Sequence, residues 1–178
     1  MGLIRLVPVD QVAVSELEAY RAAFPRGQMQ ATPDGEHIPG LDHIEDFEDV
    51  RKWVRHTAEF RGRISWYAGI CEADGRMAGA LCLRHSLSED DEDGDFASHI
   101  GYSVRPDLEG RGIGREQLRL GLRAAAALGL DTVRIICRDV NTASRRVILA
   151  CGGVYLDTIH GEESGMNVCR YLVPTGGG

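Results

Sequence analysis

The sequence predicts an α+β fold, strands and helices packed as three layers, and three observations carry that reading. Apolar residues alternate singly in some stretches and recur every three or four positions in others, so strands and helices interleave along the chain. Asp74-Gly75 separates two strand-like runs, 64–72 and 77–85, which is a strong hairpin signal. The stretch 99–114, HIGYSVRPDLEGRGIG, reads as a strand, a proline-containing turn, a glycine-rich loop and the first turn of a helix. With 178 residues the chain is expected to form one domain over 1–178, with a disordered or loosely held tail at 174–178.

The elements follow in order. Residues 3–8 form a short strand, and Asp10 is a candidate N-cap for a helix through Phe24 that places Leu17, Tyr20 and Phe24 on one face. Residues 26–42 hold Gly27, Pro33, Gly35, Pro39 and Gly40 and read as a long loop, a length more often functional than idle. A second helix is expected over 42–61 from the spacing of Ile44, Phe47, Val50 and Val54. After the hairpin comes an acidic tract, 89–95, which serves either as a solvated connection or as a lure for a cationic substrate. The strand 96–104 sets Phe96, Ile100, Tyr102 and Val104 on one face and Ala97, His99, Gly101 and Ser103 on the other. Small residues around one histidine leave room for something to lie against the sheet. A helix over 112–128, a strand over 132–137, a helix over 142–150 and strands over 154–159 and 166–173 complete the chain.

Composition excludes several classes. A net charge of −7 without a basic stripe argues against a nucleic-acid partner. No apolar run approaches the roughly 18 residues that span a bilayer, and Pro8 and Asp10 interrupt the N-terminus too early for a signal peptide. Five cysteines show neither a C-x-x-C pair nor zinc spacing, so no metal site is expected and the thiols read as core residues of a reducing, cytoplasmic compartment.

The glycine loop points to a phosphorylated ligand. Glycines 110, 112 and 114 bring backbone N–H groups together without side chains, and a helix beginning there offers its unpartnered N–H groups and positive dipole end. The dinucleotide fingerprint fails because its last glycine would be Arg115, and the P-loop fails because no lysine follows.

The loop and a second motif resemble the GNAT superfamily of acetyl-CoA-dependent N-acetyltransferases. Glu109, Gly112 and Gly114 stand at the positions of the family's Q/R-x-x-G-x-G/A turn, and Asn141, Ser144, Val147, Gly152 and Gly153 match its later N-x-x-[AS] helix motif. LRHSLS, HIGYSVRP, NTASRRVI, CGGV and RYL are similar to a bacterial branch of uncharacterised acetyltransferases.

The resemblance implies a GNAT-like mixed, mostly antiparallel twisted sheet of about six to seven strands that splays open beside Val104. The pantetheine arm of acetyl-CoA would bond the backbone of Tyr102, Ser103 and Val104 in the manner of an added strand. The pyrophosphate would rest on Gly110, Arg111, Gly112, Ile113, Gly114 and Arg115, with Asn141 and Ser144 as further cofactor contacts.

Two departures from the family pattern matter. Glu109 puts a carboxylate beside a diphosphate site, so its side chain is expected to point outward. Ile148 stands where many relatives have the tyrosine that protonates the leaving thiolate, which leaves Tyr155, Tyr171 or a water for that task. His99, where relatives often have a glutamate, is the candidate general base for a primary amine of a small molecule or peptide. The alternative is a CoA-binding sensor without catalysis. Relatives often form dimers, so a homodimer is a further expectation.

Overall fold

The computed structural model describes residues 2–24, 30–32, 35–87, 94–161 and 165–176, with the backbone alone for 30–32, 35, 36 and 95. Most of the acidic tract, 89–93, falls outside the described residues.

Strand β1 (Ile4–Pro8) leads through a short 3-10 turn into α1 (Val14–Ala22). Asp10 lies in that turn and pairs with Arg61, so it does not cap the helix, whose N-cap position is Ala13. The expected 26–42 loop contains a small ribbon, β2 (Gln30–Thr32) paired with β3 (Gly35–His37). The expected helix over 42–61 is broken: a 3-10 turn at Ile44–Asp46 precedes α2 (Val50–Thr57), capped by the Asp49 carboxylate accepting the Arg51 N–H at 2.8 Å. The apolar spacing ran through the break because both pieces bury the same side.

The hairpin is present as β4 (Ile64–Cys71) and β5 (Met77–Arg84), and β6 (Ile100–Val104) lies beyond β5. Helix α3 (Ile113–Ala127), β7 (Thr132–Arg138), α4 (Thr142–Ala150), β8 (Val154–His160) and β9 (Asn167–Pro174) follow. The tail is tied down further than expected: Pro174 belongs to β9, and the Thr175 N–H donates to Asp131 O at 3.0 Å.

Two main sheets result, β1-β4-β5-β6 and β7-β9-β8, every ladder in them antiparallel. β5 is buried along nearly its whole length because helices cover both of its faces. Ala80 and Cys82 face α1 and α2 with Tyr20, Leu41 and Trp53, whereas Leu81 and Leu83 face α3 and α4 with Ile100, Leu118 and Ile148. The result is three layers, helices on either side of a sheet.

Candidate active site

The site begins where the two sheets meet. The His99 N–H donates to Arg134 O at 2.8 Å, and the Arg134 N–H donates to His99 Nδ1 at 2.9 Å. The Arg134 side chain continues this join, its Nε and Nη2 reaching Ala97 O and Gly94 O, each at 2.9 Å. The β6 and β7 edges are thus fastened at one end, and no described ladder joins them beyond it.

The register decides what the open edge offers. Arg84 N–H donates to His99 O and Arg105 N–H to Ala78 O, which fixes the hydrogen-bonded pairs of the β5–β6 ladder at His99, Gly101, Ser103 and Arg105. By alternation the N–H and C=O groups of Tyr102 and Val104 turn away from β5, toward the gap. β7 leads to the N-terminus of α4, and β6 leads through a 3-10 turn at Pro106–Leu108 to that of α3.

The α3 start is a glycine-lined helix N-terminus, the kind of element whose N–H groups suit an anion. Gly112 at φ 83° occupies the N-cap position and Gly110 has φ 74°, conformations that glycine adopts without strain. No side chain caps α3, so its first N–H groups stay open beside the exposed Gly110, Arg111 and Gly112. Ile113 is buried under the turn, and Gly114 lies where a Cβ would touch Val104 Cγ2 at 3.4 Å. Arg115 is exposed, the Arg111 guanidinium donates to Asp107 O at 3.3 Å, and Glu109 is exposed.

At α4, Asn141 Oδ1 accepts the Ser144 N–H at 3.0 Å and caps the helix. Ser144 Oγ lies 3.0 Å from the Tyr102 hydroxyl, joining α4 to the gap-facing strand, and burial raises the Tyr102 phenol above its usual range. The Cys137 thiol, on β7, is pushed up to about 11 by burial. Among the described residues no cluster of His, Cys, Asp and Glu could hold a metal ion.

The remaining expected site residues fall in different places. The Tyr171 ring is 1 % exposed and its hydroxyl accepts from Arg145 Nε at 3.2 Å, while Tyr155 is half exposed and bonded to Thr158. Ile148 is fully buried beneath α4. The small-residue face of β6 is occupied by the chain itself: Ser103 Oγ donates to Pro39 O at 2.5 Å and receives the Tyr20 hydroxyl at 3.0 Å. Gly40 lies so close that a Cβ would come within 2.6 Å of Ala80 O.

His99 accepts with Nδ1, so its neutral ring carries the proton on Nε2. Burial, the largest cause, lowers its pKa. Sequence reasoning missed Tyr20, Pro39, Gly40 and Arg134, because only the fold brings them to β6.

The fold is thus a helix-flanked sheet split beside β6, whose outward-facing amides lie on the strand that precedes the uncapped N-terminus of α3. The domain family described as Acetyltransferase (GNAT) domain matches residues 12–154, and the chain belongs to that family. Solved structures share the fold. The acetyl transferase of Salmonella typhimurium that modifies the N-terminal serine of 50S ribosomal subunit protein L7/L12 is 21 % identical, with a TM-score of 0.71, covering 98 % of this chain and 96 % of that one. The protein yncA of Salmonella typhimurium, with its cofactor acetyl-CoA, is 12 % identical at a TM-score of 0.68, covering 98 % and 95 %. A chimeric spermidine N-acetyltransferase from Vibrio cholerae and hSSAT is 12 % identical at 0.66, covering 98 % and 97 %. The curated proteins contain no match.

Proposed function

We propose that this protein transfers an acetyl group from acetyl-CoA to a primary amine of a small molecule or peptide. The observation that carries the proposal is the fastened gap, in which the amides of Tyr102 and Val104 face away from β5 on the strand that precedes the open N-terminus of α3. The pantetheine arm pairs with those amides as an added strand, and the pyrophosphate takes the N–H groups of residues 110–115. Ser103 contributes backbone only, its hydroxyl being held by Pro39 and Tyr20.

The amine nitrogen attacks the thioester carbonyl carbon, the C–S bond breaks, and the thiolate leaves with a proton. Backbone N–H near Val104 polarises the carbonyl as charge develops. We assign the proton donor to the Tyr102–Ser144 hydroxyl pair, which links the gap to α4, in preference to Tyr155 or Tyr171. For His99 we infer a positioning task in place of the base, since Nδ1 is engaged and Nε2 carries the proton; the amine loses its proton to water. The exposed apolar residues of edge strand β8, Val154, Tyr155 and Leu156, favour a homodimer, to be read by sedimentation over a concentration range.

The test is thiol release from acetyl-CoA with an amine panel of spermidine, an aminoglycoside, and peptides beginning with serine or alanine. Acceptor-dependent release is expected. CoA binding with no release for any amine would favour the sensor.

A further inference from the structure

Among the described residues the buried polar side chains are Thr57, Gln117 and Thr175, and only Gln117 is 0 % exposed. It stands on α3 one turn past the glycine loop, on the stripe Ile113, Gln117, Gly121, Ala125 that the helix turns to the sheet. Its Nε2 donates to Ala80 O and, at 3.3 Å, to Ser103 O, two residues that face each other across the β5–β6 ladder. Its Oε1 is buried with no hydrogen-bond partner among the described residues.

Two facing glycines clear the slot for this amide. A Cβ on Gly79 would overlap Oε1, and one on Gly69, its register partner, would come within 3.0 Å of it. An apolar side chain would fill such a slot without leaving a buried oxygen unpaired. The amide therefore answers to something other than packing.

One of its bonds reaches β6 itself and the other reaches the β5 residue paired with it. Ser103 lies between Tyr102 and Val104, and its hydroxyl is already held from the opposite face of the sheet by Tyr20 and Pro39. Gln117 holds its carbonyl from the α3 face. The residue is thus clamped from both sides of the sheet.

We propose that Gln117 is a positioning residue for the cofactor strand, fixing Ser103 so that the flanking amides face the gap at the pitch an added strand requires. This rests on the gap being the pantetheine site. The expected consequence is confined to the arm of the ligand that pairs with β6; the nucleotide end, on the α3 loop, does not depend on it.

Calorimetric titration of the full chain with CoA, and with adenosine 3′,5′-bisphosphate, which lacks the pantetheine arm, separates the two. Gln117→Leu should raise the Kd for CoA about five- to tenfold, the loss of one to two neutral hydrogen bonds. Its affinity for the bisphosphate should stay within about twofold, and its thermal midpoint should hold or rise. A folded Gln117→Leu with unchanged CoA affinity overturns the proposal, as does equal weakening of both ligands, which is general loosening. Should that variant not fold, the double variant Gln117→Ala with Gly79→Ala, which refills part of the slot, is measured the same way; failure of both assigns the amide to stability and likewise overturns it. Wild-type protein that binds no CoA defeats the pantetheine reading itself, whereas wild-type binding with unaffected variants defeats only the role of Gln117.

Discussion

The two faces of the four-stranded sheet are held by different means. Toward α3 and α4, the helices follow local signals: Gly112 starts one, Gly129 follows it, and Asn141 caps the other. Toward α1 and α2, a segment around 38–47 wraps against the sheet and is fixed by side-chain bonds within it, to α2 and to β6. Trp53 Nε1 donates to Asp42 O at 2.9 Å, Ile38 N–H donates to Glu45 Oε1 at 2.6 Å, and Pro39 accepts from Ser103. The first face is built from short-range chemistry, and the second exists only once the chain has folded onto itself.

That contrast is tested most severely at Trp53, fully buried where α2 meets the wrapped segment. Trp53→Ala should cost about 3–5 kcal/mol by urea unfolding. Loss below about 1 kcal/mol would show that this face is held chiefly by local structure.

A sharper contrast comes from two glycines with similar backbones. Gly40 has φ 89° and would put a Cβ within 2.6 Å of Ala80 O, whereas Gly110 has φ 74° and nothing near. Gly40→Ala should therefore cost about 2–4 kcal/mol, and Gly110→Ala only the backbone strain of about 1 kcal/mol. Equal costs would mean that the wrapped segment yields freely.

The fastening at His99 predicts a pH signature. Burial holds its pKa below the ordinary 6.5, so below that pH the unfolded chain binds a proton more readily than the native one. Its stabilisation is complete above pH 6.5 and is lost progressively as the pH falls through the window down to the native value. His99→Asn, whose side-chain oxygen can still accept from Arg134, should flatten the decline in stability between pH 6.5 and 5, measured by thermal unfolding. An unchanged decline would remove His99 from the join. The same residue discriminates on activity, because a positioning role predicts that His99→Ala lowers CoA affinity and turnover together.

Smaller effects belong to the local signals. Asn141→Ala should cost about 1 kcal/mol of stability through the lost cap. Smallest of all, Glu109→Gln should leave CoA affinity unchanged or slightly tighter, since the side chain is exposed beside the glycine loop. Clear weakening by titration would place that carboxylate in the site.

The limits of the sequence reading follow the same division. The α4 bounds, the hairpin and the glycine loop were legible because capping residues and glycines act on their own neighbours. The break at 47–49 in the expected second helix was not, since Ile44, Phe47, Val50 and Val54 keep helical spacing while burying against one core. Gln117 left a faint trace, a polar residue on the stripe that otherwise holds Ile113, Gly121 and Ala125.

Sequence alone determined the order of the main elements, the glycine loop and the family resemblance, because each rests on residues within a few positions of one another. Tertiary structure decided what fills the β6 face and what the histidine ring bonds. The small face that invited a ligand is covered by Pro39 and Gly40, and the candidate base spends its lone pair on Arg134. Both outcomes turn on contacts between residues 35 or more positions apart, which no local pattern encodes.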